Sequence, residues 1–365
     1  MRLLANETFG RRWRRLGGLA AVVAAAAVIA GAGSHPAAAA SKGLLVVFMP
    51  PSTDNYLAQW QKGARAEAAA LDYKIKIIEN SRDQASQDAQ VEQQIASGEK
   101  VDGYIWWPYV NAAGTGSLRA LWRTGVPVVF TNQYPIAGTG KFWTAYAGVN
   151  DFLNARTAAK ALLRACAASK TVKCDKGLIF TFPAGYSAGS DRAKAFAKTV
   201  AGKLTVIRQV PSGFMAQEGY KTASQVIPAY KNEISWVYTE SDAVGDGVIQ
   251  ALKENGLHPG KDVLVVGGTC HGDTTNLLNG DLIGTGIQAA YLEGWSSVQT
   301  TVRYLQTKKV LPGAAYLSAD PNKPPPDTGA PHRYEFIPNP WVGNTQADLN
   351  NFRLWGYTFK QLCNY

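Results

Sequence analysis

The side chains with chemistry to offer stand just after short apolar runs. Between Ser235 and Gln288 three such runs end in polar residues. Trp236–Thr239 leads to Ser241 and Asp242, Val263–Val266 to Gly267, Gly268 and Thr269, and Leu282–Ile287 to Gln288. Earlier runs deliver Pro50, Pro51, Asp54 and Tyr56, then Trp106 and Trp107, then Asn132, Gln133 and Tyr134. Arg192 follows the Pro183–Gly189 stretch, and Phe214 follows the turn Pro211-Ser212-Gly213. The inventory has one Arg, few carboxylates, several amides and hydroxyls, and aromatic rings. Planar amide, guanidinium and carboxylate groups bind pairs of hydroxyls, and aromatic faces stack on apolar C–H faces. That mixture suits a sugar or polyol.

Each of these residues also has a bland role. Trp106 and Trp107 are neighbours on a strand, so at most one faces a cleft and the other is core. Asp242 is expected to cap the helix after it. Arg192 is expected to meet ligand, with a bridge to Asp191 or Glu240 as the alternative. Phe214 either packs or stacks, and Asn132 and Gln133 either meet ligand or satisfy loop backbone. Cys270-His271 with Asp273 is the one hint of catalysis, in a secreted enzyme. Adjacent Cys and His rarely face one another, however, and a nucleophile needs a base within reach. No G-x-S-x-G, H-E-x-x-H or phosphate-cradling glycine loop is present, so no enzyme, cofactor or metal site is expected.

The elements that must position these residues alternate regularly. Strand-like runs lie at 44–48, 73–78, 104–107, 126–131, 177–182, 204–209, 236–239 and 263–267. Helical periodicity separates them, for example Leu57, Trp60, Ala64, Ala68 and Leu71. Such alternation predicts α/β architecture with doubly wound parallel sheets. It divides into residues 43–131 and 177–267, two lobes facing a cleft, with Phe142–Val149 as a candidate hinge. The alternation fails after about residue 310. Pro321–Pro331 reads as a loop, and the aromatic-rich 333–365 as an extension packed back over a lobe.

The first residues read as an address. Arg11, Arg12, Arg14 and Arg15 precede an apolar run from Leu16 to Ala32 and the small-residue site Ala37–Ala40. That order is expected of a cleaved secretory signal, residues 1–40. Those residues hold five Lys/Arg and one Glu, so without them the formal charge falls from +10 to +6. The excess is dispersed, which argues against a nucleic-acid partner. Four cysteines in an exported chain favour disulfides. Cys166–Cys174 is the expected local clasp, leaving Cys270 and Cys363, although spacing alone does not separate the connectivities.

Here a resemblance becomes specific, over about residues 43–310. Asp54-Asn55-Tyr56-Leu57 with Gly63-Ala64 and Glu67-Ala68 is similar to the first ligand loop and helix of the ribose/galactose-type periplasmic sugar-binding proteins of ABC transporters, the type I solute-binding fold. Val126–Gln133 resembles the segment ending in that family's ligand-binding Asp-Arg pair. Ala184–Ala188 with Asp191-Arg192 and Phe196 resembles the loop that supplies a ligand-binding Arg. Ser241-Asp242-Ala243, Asp262–Gly267 and Gln288 complete the match. Four positions depart: Asn132-Gln133 replaces Asp-Arg, Ser241 replaces Asn, and Thr269 replaces Asp. Ribose or galactose is therefore not carried over, and Arg192 could equally face a sugar acid.

The resemblance implies two lobes joined by hinge segments, an N-terminal lobe of 41–146 plus about 289–315 and a C-terminal lobe of 147–288 plus about 316–365. It implies a periplasmic monomer that closes on a sugar, polyol or sugar acid and delivers it to permease subunits, or presents it to a chemoreceptor or histidine kinase. The expected ligand set is Asp54, Tyr56, Trp107, Asn132, Gln133, Arg192, Phe214, Ser241, Thr269 and Gln288.

Overall fold

The computed structural model describes residues 41–310 and 333–363. The expected signal segment and the Pro321–Pro331 loop lie outside them. Strands and helices alternate from the start: β1 (Gly43–Met49), α1 (Asn55–Ala70), β2 (Tyr73–Glu79), α2 (Gln84–Ala96), β3 (Gly103–Trp106), α3 (Thr115–Arg123), β4 (Val128–Phe130) and β5 (Ala145–Gly148). A second series follows as α4 (Asp151–Ala168), β6 (Lys176–Thr181), α5 (Ser187–Val200), β7 (Thr205–Pro211), α6 (Ala216–Tyr230), β8 (Ile234–Thr239), α7 (Asp242–Glu254) and β9 (Leu264–Val266). The chain then runs through α8 (Thr274–Leu278), β10 (Gly284–Gly286), α9 (Ala290–Thr307), β11 (Tyr334–Phe336) and β12 (Trp341–Gly343). It closes with α10 (Gln346–Asn351), a small hairpin of β13 (Arg353–Leu354) and β14 (Tyr357–Thr358), and α11 (Phe359–Cys363).

Two parallel sheets result. The first has the order β11-β5-β4-β3-β1-β2 and the second β7-β6-β8-β9. Their inner strands are apolar on both faces, as in Leu45–Met49, which is fully buried. A parallel sheet covered by helices on either side requires that composition. Strand order reverses between β1 and β3 in one sheet and between β6 and β8 in the other, and such switch points open ligand crevices at the carboxyl ends. Helices start where the sequence supplies caps: Asp54, Asp83, Asn150 and Ser241 each accept a backbone N–H of the following first turn. Asp242 is thus not the cap of α7. Its Oδ1 instead accepts from the Thr269 N–H and the Thr285 hydroxyl.

Helix α9 lies so close to α1 that a side chain at Gly63 would strike the Tyr291 carbonyl, and one at Gly294 the Trp60 carbonyl. This contact returns α9 to the first sheet, although β10 belongs beside the second, where Thr285 bridges Gly267.

The C-terminal segment departs from expectation. Residues 334–336 do not join the second lobe; β11 extends the first sheet, parallel to β5. Only then does the chain return, with β12 antiparallel to β10. The expected hinge at Phe142–Val149 is mostly β5 itself, and the passage between sheets comes just after it. Three passages connect the sheets, near Val149–Asn150, Ile287–Ala289 and Ile337–Pro340. Asn339, buried, stitches them: its Oδ1 accepts from Asn150 N (3.0 Å) and its Nδ2 donates to the Ile287 carbonyl (3.1 Å). Backbone bonds from Ile337 to Gly148 and from Ile287 to Pro340 complete the seam.

Both disulfides follow the expected pairing. Cys166–Cys174 closes the turn after α4, and Cys270–Cys363 fastens α11 to the segment after β9.

Candidate functional site

The carboxyl ends of the two sheets enclose a cavity of about 230 Å³. From the first sheet come Pro50, Asp54 and Tyr56 after β1, Trp107 after β3, and Asn132 after β4; from the second come Phe182, Tyr186, Arg192, Phe214, Ser241, Thr269, His271 and Gln288. Nine of the ten expected ligand residues therefore line one space. Trp106, as the strand pleat requires, lies in the core while Trp107 reaches the wall.

Gln133 is the exception. It is fully buried and does not line the cavity. Its amide donates to the Pro108 and Tyr109 carbonyls, and its Oε1 accepts from the Ser187 hydroxyl at 2.8 Å. Beside it, Asn132 takes a left-handed backbone (φ 64°), which Asn tolerates better than most residues. Its Oδ1 then accepts from the Tyr186 hydroxyl at 2.7 Å. Asn132 and Gln133 thus both hold the N-terminus of α5 across the cleft.

Arg192 faces neither Asp191 nor the Glu240 carboxylate. Its Nε donates to Asp151 Oδ1 at 2.7 Å and its Nη1 to the Glu240 carbonyl at 2.7 Å. The guanidinium also lies over the Phe182 ring, 5.0 Å from its centroid. Burial opposes the Arg192 charge, but Asp151, with Tyr238 and Glu240, more than offsets this and raises its pKa. Burial pushes the Asp151 carboxyl up too; a guanidinium in direct contact keeps the pair ionic. Gln288 donates to the same Asp151 oxygen at 3.0 Å. Burial lifts the Glu240 carboxyl above its usual range, against the Phe182 N–H that its Oε2 accepts and the nearby Arg192 charge.

A second network escaped sequence reasoning. Glu293, in the first turn of α9, is fully buried, and its Oε2 accepts from the Tyr56 hydroxyl (2.9 Å) and Asn132 Nδ2 (3.3 Å). Burial pushes its pKa to about 7 against those two bonds. Its Oε1 lies against Gly148, where a Cβ would collide with it. An acidic residue in a first turn normally just complements the helix dipole, so the sequence carried no sign that this one is buried. Asp151 was hidden likewise behind the Asn150 cap.

His271 is buried, and burial lowers its pKa to about 4. Its Nε2 lies 3.0 Å from the Gln288 carbonyl, and its ring meets Tyr56 edge-on at 5.0 Å. The Cys270–His271–Asp273 constellation is dismantled: Cys270 is in a disulfide and Asp273 caps α8. Apolar rings line much of the remaining wall, with Phe182, Tyr186 and Phe214 in mutual contact at 5.1–5.6 Å.

Residues 45–309 match the periplasmic binding protein domain family. The chain belongs to that family. Among curated relatives, the Escherichia coli galactofuranose-binding protein YtfQ is 38% identical over 84 residues, 22% of this chain and only 26% of that protein. The Escherichia coli ribose import binding protein RbsB is 22% identical over 258 residues, 70% of this chain and 82% of that one. The crystal structure of a galactofuranose binding protein superposes with a TM-score of 0.70 at 20% identity, covering 82% of this chain and 95% of that chain. The fold is therefore the two-lobed one of periplasmic binding proteins, and the cavity occupies the cleft between its lobes.

Proposed function

We propose that this chain is the solute-binding component of an ABC importer, which captures a small sugar or sugar-like solute between its lobes and delivers it to a membrane permease. The observation that carries this reading is the composition of the cavity wall. Polar strand ends from both sheets surround a space small for a ligand pocket, which commonly measures roughly 300–1,000 Å³, and aromatic rings cover much of the remainder. Family membership and relatives named for galactofuranose and ribose support it. Hinge closure is the motion expected of such lobes, and the three passages stitched by Asn339 are where it would pivot. The bonds from Tyr186 to Asn132 and from Ser187 to Gln133 would hold the closed form. Residues 1–40 would direct the chain to the periplasm, where it acts as a monomer with no nucleic-acid partner.

Thermal-shift screening against pentoses, hexoses, inositols and sugar acids tests the reading. A solute at 100 times its Kd adds about 2.7 kcal/mol of stability, enough to raise the melting temperature by several degrees. If no member of the panel moves it, solute capture of this class is wrong.

A further inference from the structure

We infer that the C-terminal hairpin is a strap across the hinge, tied to the second lobe and seated on α9 of the first, which restrains the lobes from opening. The inference rests on the hinge motion of the solute-capture reading, not on the identity of the solute. Two independent features carry it.

The first is the span of the extension. Beyond β12, Leu349, Leu354, Phe359 and Leu362 are buried in one cluster with Val248 and Val265 of the second lobe, and Cys270–Cys363 ties α11 to the same lobe. From that base β13 and β14 reach α9. The Tyr357 ring lies 5.4 Å from that of Tyr291, and the Trp355 ring 6.2 Å from that of Trp295. Helix α9 is fixed to the first lobe: Gln299 donates to Glu67 at 2.6 Å, and the α9 and α1 backbones touch at Gly63 and Gly294. Trp295 lies roughly 8 Å along α9 from Ala290, beyond the Ile287–Ala289 passage. Rotation of the lobes about the passages must therefore slide or break both ring contacts.

The second is the backbone at the hairpin tip. Trp355 and Gly356 are the two loop residues between the paired Leu354 and Tyr357, and both are left-handed, with φ 50° and 85°. A two-residue turn of that kind favours Asn-Gly. A bulky residue in the left-handed region is an outlier, and such strain persists only where the surroundings over-determine it. Trp355 is 42% exposed, so it is no part of its own lobe's core, and its ring meets Trp295 across the lobe boundary. A turn kept in a costly form for a contact between lobes is what a strap requires.

Spin labels on Ala113→Cys and Gln217→Cys, exposed positions between β3 and α3 and in the first turn of α6, report cleft opening by double electron–electron resonance with no solute present. The described cysteines are all paired, so labels attach only to the new ones. The parent chain should give one dominant distance. Trp355→Asn with Tyr357→Thr suits the turn and the strand but removes both ring contacts. Its ratio of long to short distances should rise about five- to 150-fold, the worth of two aromatic pairs. Cys270→Ala with Cys363→Ala, which frees the tether, should shift the ratio in the same direction, with cooperative urea unfolding retained in both variants. Asn339→Ala loosens the seam itself and serves as the control. If it lengthens the distances while the ring variant matches the parent, or if the ring variant shortens them, the strap is wrong and hinge motion stands. If neither the ring variant nor Asn339→Ala differs from the parent, both the strap and the hinge motion fail.

Discussion

Replacing Glu293 by Gln should make the protein more stable at high pH and change little at low pH. The carboxyl has an ordinary value of 4.5 and is pushed to about 7 by burial among Tyr56, Asn132 and the Val149 backbone. Between those two values the folded chain binds more protons than the unfolded one, so stability falls as pH rises. The stabilisation is complete below pH 4.5 and is lost as pH passes through about 7. At roughly 1.4 kcal/mol per pKa unit the full difference is about 3 kcal/mol. Gln does not titrate, and its carboxamide can still serve the Tyr56 hydroxyl and Asn132. The stability of Glu293→Gln relative to the parent should therefore rise by about 2–3 kcal/mol between pH 5 and pH 8. Urea unfolding at a series of pH values measures this directly. Burial lowers His271 to about 4 and raises Asp191 and Asp246 to about 7, giving slopes of their own, but these are common to both proteins and cancel in the difference. A difference that does not change with pH would show Glu293 to be ionised throughout, and the account of the buried network would be wrong.

Arg192→Met should cost about 3–5 kcal/mol, because it leaves Asp151 buried and uncompensated; a urea-measured loss below about 1 kcal/mol contradicts the ion pair. The double replacement with Asp151→Leu should recover stability relative to the single variant. Removing Cys270–Cys363, which spans 93 residues, should cost more than removing Cys166–Cys174, which spans 8. Loop-closure entropy puts the two at about 4.7 and about 2.5 kcal/mol, and paired Cys→Ala variants compared by urea unfolding should keep that order. Asn339→Ala should cost about 1–3 kcal/mol by leaving the Asn150 N–H and the Ile287 carbonyl unpaired. Hydrogen exchange at Asn150 should accelerate, and protection equal to the parent's would count against the stitched seam.

Much of the cavity was legible because its residues follow apolar strands, a signal that is local. Trp107, Ser241, Thr269 and Gln288 each stand one to three positions beyond a strand, and the parallel architecture fixes where such positions gather. What stayed hidden depends on partners far along the chain. Asp151 and Arg192 are separated by 41 residues, and Asn132 and Glu293 by 161. No periodicity links them. Tyr334–Phe336 looked like any aromatic tail segment, yet it pairs with β5 and returns the chain past Asn339 to the hinge. Arg192 was placed correctly in space, but its role turned on a carboxylate that the sequence presented as part of a helix start. His271 drew notice for the wrong chemistry, since its neighbour Cys270 suggested a nucleophile rather than a tether.

The claim that the inter-lobe cavity is the solute site has one direct test. Ala243 lines the cavity from the first turn of α7, so Ala243→Trp fills the space without replacing a residue of the hinge or of the Arg192–Asp151 pair. Titration calorimetry with the most stabilising solute of the thermal-shift panel should give one site per chain in the parent protein and no heat of binding in Ala243→Trp, with cooperative unfolding retained in both. Equal binding by the two proteins would contradict the account, because the solute would then be held elsewhere.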